Sequence, residues 1–115
     1  MKMQSNRNNR ASFRAAAFIE NCPPKDYSQL TVNWLANKMG VNPTYLSRTF
    51  KKDFNCHLKD YIEQAKMDKA EELLNSGMAV KDVSRFLDYT NPSYFGRKFR
   101  KRKGATPRSR RGKAR

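Results

Sequence analysis

The chain has 115 residues, of which 37% are apolar, enough for the helical cores of one domain or two very small subdomains. Its 25 lysines and arginines outnumber 10 acidic residues and give a formal charge of +15. This charge exceeds what solubility requires, so it predicts a polyanionic partner, with nucleic acid favoured over an anionic membrane surface.

The sequence contains no recognisable metal, catalytic or membrane-spanning pattern. Cys22 and Cys56 lack metal-ligand spacing, and the single histidine, His57, cannot complete a four-ligand site with them. Cys56 and His57 are adjacent but have no third group to orient them as nucleophile and base. No run of about 18 apolar residues occurs, and no apolar run follows the charged start. We therefore expect a cytoplasmic protein that is not an enzyme, needs no metal or cofactor, has no small-molecule site and does not bind a membrane.

The first predicted element is a helix over about 12–21, preceded by a basic segment at 1–11 that we expect to be flexible. The two prolines at 23–24 end this helix, because proline cannot continue the helical hydrogen-bond pattern. The residues expected to face the core are Phe13, Ala17 and Ile19.

The next signals predict a helix, a tight turn and a second helix. Apolar residues recur with helical period over 32–39, where Thr31 can cap the start and Gly40 can supply the left-handed residue at the end. Asn42 can cap the following helix, with Pro43 at its first position. Leu46 and Phe50 would form the narrow buried seam of this second helix, which leaves small polar residues and arginine on its outer face.

A single long helix is predicted over 57–76. Its apolar residues form two stripes separated by well over a quarter turn, so one helix serves two separate cores. Its length of ~30 Å is close to the ~34 Å between successive major-groove faces on one side of a duplex. The first stripe comprises Leu58, Tyr61, Ile62 and Ala65, and the second comprises Met67, Ala70, Leu73 and Leu74.

An internal repeat is the most informative feature of the sequence. Segment 42–52 recurs 49 residues later as 91–101, with six of eleven positions identical, and a short apolar pattern of helical period precedes each copy. The same two-helix unit therefore occurs twice. In the second copy Asp88 takes the place of Gly40, and Asp is among the few residues besides glycine that tolerate positive φ.

The second unit ends in a strongly basic segment. Gly104-Ala105-Thr106-Pro107 breaks the last helix, and residues 97–115 contain eleven lysines and arginines but no acidic residue. The part after the break is too poor in apolar residues to pack, so we expect it to be disordered when free. The predicted organisation is a first helix-turn-helix subdomain at 12–55, a linker helix at 57–76, a second helix-turn-helix subdomain at 78–107, and basic flexible ends at 1–11 and 108–115.

These residues together resemble the DNA-binding domain of the AraC/XylS regulators over about 12–111. Five positions depart from the usual pattern of that family: Asp88-Tyr89 replaces Gly-Phe, Asn55 replaces Gly, Lys66 replaces Arg, and Arg110 replaces an aromatic residue. Asp88 and Asn55 can both adopt left-handed conformations, though at more cost than glycine. The matching segments are 35–36 with 39–40, 45–52, Tyr61-Ile62, Ala70, Leu73-Leu74, 93–95, 99–101 and 104–107.

The resemblance implies an all-α fold in which two helix-turn-helix subdomains are joined by a long central helix. It also implies a bacterial transcription regulator that binds double-stranded DNA through the second helix of each unit, with RNA polymerase as a candidate partner. Thr44, Ser47 and Arg48 would read bases in the first unit. Ser93 and Arg97 would do so in the second, where Gly96 offers no side chain.

The remaining polar and aromatic residues of the two reading helices receive other roles. Lysines and arginines beside the base readers are expected to contact phosphates, which gives affinity that falls steeply with salt. We expect the aromatic residues to belong to the core instead of forming a base-stacking platform, because they recur at helical spacing beside Leu46 and Phe95. The phosphate contacts are Lys51, Lys52, Lys98, Arg100 and Lys101; the core aromatics are Tyr45, Tyr94, Phe50, Phe99 and also Trp34.

Two other function classes remain as alternatives. A non-specific basic nucleic-acid-binding or architectural protein would bind every sequence alike, whereas the repeated reading helix predicts a defined site. An enzyme is disfavoured because no acid-base or metal constellation is present. Neither class explains the duplication.

Overall fold

The computed structural model describes residues 10–110, and every regular element in that range is helical. The chain forms two compact units that divide between Glu63 and Gln64, within one long helix. The predicted all-α fold with two helix-turn-helix units and a central helix is therefore confirmed. The helices are α1 (Ala11–Glu20), α2 (Val32–Met39), α3 (Pro43–Phe54), α4 (Leu58–Asn75), α5 (Val80–Phe86), α6 (Pro92–Lys103) and α7 (Pro107–Arg110), with a 3-10 helix (Pro24–Gln29) between α1 and α2.

Short-range hydrogen bonds fix the turn of the first unit. The hydroxyl of Thr31 accepts a hydrogen bond from the backbone N–H of Trp34 at 3.1 Å, and Gly40 ends α2 with φ of 71°. The side chain of Asn42 accepts from the N–H of Tyr45 at 3.0 Å and so caps α3. Each of these roles was predicted from residue type alone, because a cap needs only a short acceptor side chain at the right offset.

The longer turn of the second unit uses a different set of bonds. Asp88 adopts φ of 69°, which confirms that it takes the left-handed position of Gly40. Ser84 is fully buried, and its hydroxyl donates to the carbonyl of Tyr89 at 2.7 Å while the N–H of Tyr89 donates to the carbonyl of Ser84 at 2.8 Å. Asn91 then caps α6 by accepting from the N–H of Ser93 at 2.8 Å. The turn is thus pinned from both sides despite the absence of glycine.

The long helix α4 contributes side chains to both cores. In the first unit the hydroxyl of Tyr61 donates to Glu20 at 3.0 Å, and burial together with this bond raises the pKa of Tyr61 to about 12. The largest fully buried side chains of the first unit are Ile19, Leu30, Leu35, Leu46, Phe50 and Leu58, and those of the second are Met67, Leu74, Val83, Leu87, Phe95 and Phe99.

The inward face of α1 differs from the prediction at one residue. Ala17 is exposed, whereas Ser12, Ala16 and Ile19 are buried. These three lie three or four residues apart and share one face, and Ala17 is rotated by about 100° from Ala16. Phe13 is half-buried, with its ring 5.2 Å from that of Phe54. The expectation for Ala17 was wrong because a short alanine run gives no signal about which alanine faces the core.

Each of the two predicted flexible ends makes defined contacts where it joins the helical region. Arg10 forms a two-pronged ion pair with Asp53, at 2.7 and 3.1 Å, and Ala11 is buried. At the other end Pro107–Arg110 forms a helical turn, and Arg110 lies 3.3 Å from Glu71 of α4. The prediction from composition missed these contacts because it considered the number of apolar residues and not ion pairs. The rest of the two ends, 1–9 and 111–115, lies outside the described residues.

Asp53 should make the stability of the first unit depend on pH at the acidic end. Hydrogen bonds from Ser12 and Arg10 hold the pKa of Asp53 below its usual value of 3.8. A carboxyl group whose pKa is lowered by folding stabilises the fold above its unfolded pKa, and this contribution disappears as the pH falls through the folded pKa. Urea unfolding of Asp53→Asn between pH 2.5 and 6 should therefore show a weaker loss of stability on acidification. An acid profile identical to that of the parent would contradict this role.

Candidate nucleic-acid interface

The helices α3 and α6 occupy equivalent positions in the two units and present similar surfaces. Each begins with an Asn cap followed by proline, and each buries two apolar residues four positions apart: Leu46 and Phe50 in α3, Phe95 and Phe99 in α6. Such i, i+4 pairs anchor one narrow stripe of a helix and leave the opposite face for other contacts. That remaining face carries every base-contact residue proposed from the sequence.

In the first unit the structure leaves the predicted reading residues accessible. Thr44 and Arg48 are exposed and Ser47 is half-buried. At about 100° per residue, Thr44 and Arg48 point within about 40° of one another, directly away from the Leu46 side of the helix. Lys51 and Lys52, the predicted phosphate contacts, are exposed one turn further along α3. The helix thus carries short polar groups and one arginine at its start and two lysines towards its end.

The second unit has the same arrangement of polar residues, except that one side chain is missing. Ser93 and Arg97 are exposed, while Gly96 replaces the Ser47 of the first unit. A Cβ atom added at Gly96 would meet nothing within 4 Å, so the glycine is not required by packing. Arg100 and Lys101, two of the predicted phosphate contacts, are exposed. The polar outer surface of α6 is therefore smaller than that of α3.

Two tyrosines were placed in the core by the sequence, and this was wrong. Tyr45 is 53% exposed and Tyr94 is 43% exposed, and they are the exposed large hydrophobic residues of the described chain. Both follow the first reading residue of their helix, about 100° round from it, so they flank the outer face and not the core. Trp34, by contrast, is half-buried, with its ring packed edge-on against Phe18 at 6.1 Å.

Tyr94 lies among the cations of the second unit. Its ring centroid is 5.8 Å from the guanidinium carbon of Arg97 and 5.4 Å from the ammonium of Lys98. The ring of Tyr89 lies 6.1 Å from that of Tyr94. Lys98 was predicted as a phosphate contact, and the structure places it half-buried against this ring. The aromatic surface that sequence reasoning missed is therefore next to an arginine that it selected.

Acidic residues of α4 pair with cations at the end of the second unit. Lys103 lies 2.5 Å from Asp68 and 3.1 Å from Glu71, and Glu71 also pairs with Arg110. Burial opposes the charge on Lys103, but the bonds to Asp68 and Glu71 outweigh it and raise its pKa. These two cations are thus already neutralised within the protein, whereas Arg100 and Lys101 on the same segment are exposed.

The described range, 10–110, shows neither a metal-binding cluster nor a membrane-spanning helix. Within that range no group of three or more His, Cys, Asp or Glu side chains is placed to hold a metal ion. No described helix is long and apolar enough to cross a membrane.

Comparison with known proteins places the chain in a family. A helix-turn-helix domain family matches residues 35–113. Over 81 residues, 70% of this chain, it is 37% identical to the HTH-type transcriptional regulator YtdP of Bacillus subtilis, and the matched part is 10% of that relative's length.

Solved structures of similar domains cover most of the chain. The C-terminal domain of AraT, a response regulator from Geobacillus stearothermophilus, superimposes with a TM-score of 0.77 and 28% identity, covering 91% of this chain and 86% of that one. The C-terminal domain of the response regulator yesN from Fusobacterium nucleatum gives 0.71 and 31%, covering 84% and 93%. With two Asn-capped helices, a basic outer surface and these relatives, the chain belongs to the AraC/XylS type of helix-turn-helix DNA-binding domains.

Proposed function

We propose that the chain reads two boxes of one asymmetric DNA site, one with each unit, in successive major grooves. The observation that carries this proposal is the repetition of one surface: an Asn-capped helix with an exposed arginine six residues after the cap, Arg48 in α3 and Arg97 in α6. An arginine in the major groove can make a bidentate pair with guanine, which discriminates strongly between base pairs. Two such helices on one chain favour a site without two-fold symmetry.

Within each helix the side chains divide into readers and positioning contacts. Thr44, Ser47 and Arg48 read bases in the first box, and Ser93 and Arg97 read bases in the second. The cations that follow them on the same helices bind phosphates and fix the register of each helix without carrying sequence information. These phosphate contacts are Lys51, Lys52, Lys98, Arg100 and Lys101.

The chain acts as the DNA-binding part of a bacterial regulator in the cytoplasm. YtdP is far longer than the matched segment, which is 10% of its length, so further domains can control where and when such a module binds. RNA polymerase is the partner through which a DNA-bound regulator most directly alters transcription. The module itself contributes binding and not chemistry.

Selecting bound sequences from a random pool of duplex DNA tests the two-box arrangement. The chain should enrich an asymmetric site with two conserved boxes about 10 bp apart, because one helical turn separates equivalent groove faces. In parallel selections Arg48→Ala should lose sequence preference in one box, and Arg97→Ala should lose it in the other. Enrichment of a palindrome would show that two chains are needed, and no enrichment would favour a non-specific binder.

A further inference from the structure

A continuous set of aromatic rings runs from the core of the second unit to its surface. The ring of buried Phe99 lies 5.9 Å from that of Phe95, which lies 5.5 Å from Tyr89. Tyr89 in turn lies 6.1 Å from Tyr94, and Tyr94 lies 5.8 Å from the guanidinium carbon of Arg97. Because Phe95 and Phe99 are fully buried, the inner end of this aromatic ladder is fixed by packing. Each ring limits the movement of the next.

The turn of the second unit holds Tyr89 in this ladder. Its backbone N–H and carbonyl both bond to buried Ser84, so the residue cannot swing away with the loop. The ammonium of Lys66 in α4 also lies 5.7 Å from the Tyr89 ring. Tyr94 therefore packs against a residue whose backbone is held by Ser84 and whose ring contacts Lys66.

Tyr94 is 43% exposed, and its ring contacts Arg97. A tyrosine three residues before an arginine on a helix lies beside it, and attraction between a cation and a ring face favours contact. The same ring also has Lys98, four residues on, at 5.4 Å. The contact restricts the long arginine side chain before any DNA is bound, which reduces the conformational entropy lost on binding.

The first unit lacks this arrangement. Val41 stands where the second unit has Tyr89, since its N–H bonds to the carbonyl of Ala36 as that of Tyr89 does to Ser84. An aliphatic side chain offers no ring face to Tyr45. Among the described residues, none places a ring or a cation against Tyr45 in a contact of the kind seen at Tyr94. The same tyrosine thus has different surroundings in the two copies.

We propose that Tyr94 is a positioning residue that holds Arg97 ready for base reading, and that it compensates for the reader missing at Gly96. The proposal rests on the proposed function, in which Arg97 reads a base pair of the second box. Arg48 in the first unit reads with Thr44 and Ser47 beside it and is not held in this way. The two units consequently differ in how much of their specificity depends on an aromatic neighbour.

Binding of the full chain to its selected site, and to single-base variants of the pair that Arg97 reads, tests the proposal. Tyr94→Leu should reduce discrimination at that pair by about two- to five-fold, the size expected for an exposed cation–ring contact. Tyr94→Phe keeps the ring and should retain discrimination. In an Arg97→Ala background, Tyr94→Leu should change discrimination no further. The matched change Tyr45→Leu should leave discrimination at the Arg48 pair intact.

A measurement without DNA checks the contact itself. Ring-current shifts of the Arg97 side-chain protons should be visible by NMR, persist in Tyr94→Phe and disappear in Tyr94→Leu, while backbone spectra and thermal unfolding show that each variant is folded. Equal losses in Tyr94→Phe and Tyr94→Leu would assign the effect to the hydroxyl and overturn the proposal. Full discrimination in folded Tyr94→Leu would also overturn it. If Arg97→Ala relaxes no base pair, the fault lies instead in the proposed function.

Discussion

Replacing Arg48 by alanine is expected to cost about 1–3 kcal/mol at one base pair of the first box, which is roughly 5- to 150-fold in affinity. The loss should be confined to the preferred base pair, because a bidentate arginine contact distinguishes guanine from the other bases. Competition binding with the selected site and its three single-base variants at each position of the box measures this. In the variant, the four bases at one position should become nearly equivalent.

Lys51→Ala is the matched control for Arg48→Ala. Both residues are exposed cations on α3, three positions apart, so each change removes one positive charge from the same helix. If Lys51 contacts phosphate, its loss should weaken selected and random duplexes by the same factor and leave the preferred bases unchanged. Equal weakening of all sequences by Arg48→Ala as well would remove Arg48 from the reading surface.

The elements that sequence reasoning predicted well depend on near neighbours in the chain. Thr31, Asn42 and Gly40 act within four residues of their own position, so residue type and offset suffice to identify caps and turns. The left-handed conformation of Asp88 followed from the same logic, helped by the repeat. The two apolar stripes of α4 could be read from helical period, and five of their eight residues are buried: Leu58, Ile62, Met67, Ala70 and Leu74.

The features that were missed depend on contacts between distant parts of the chain. Arg110, in the turn Pro107–Arg110, pairs with Glu71, and Arg10 pairs with Asp53, 43 residues away. Composition cannot reveal such pairs. The exposure of Tyr94 was missed for another reason: helical spacing beside Phe95 suggested the core, although a rotation of about 100° is enough to move a neighbour to the edge of the outer face. A helical wheel drawn through the buried pair would have shown it.

Salt should affect binding more than any single substitution. A protein that makes six to ten phosphate contacts loses about 10³- to 10⁵-fold in affinity between 50 and 200 mM salt, because each contact releases condensed counterions. Changing Lys51, Lys52, Arg100 and Lys101 together to glutamine removes four exposed cations of the reading helices. The slope of log affinity against log salt should then fall in magnitude by about 3.6. Between 50 and 200 mM salt, the fold-loss of affinity should therefore be roughly 150 times smaller for the variant than for the parent.

A control variant separates the effect of where these cations lie from the effect of the total charge of the protein. Lys25 and Lys59 are exposed outside α3 and α6, so changing both to glutamine lowers the net charge without removing a proposed phosphate contact. This control should change the slope by less than one, whereas the double change at Lys51 and Lys52 should lower it by about 1.8. The preferred sequence should survive in every variant, since phosphate contacts add the same free energy to right and wrong sites. Equal slopes for the two double variants would mean that binding depends on the overall charge of the protein, and Lys51 and Lys52 would lose their assignment as phosphate contacts.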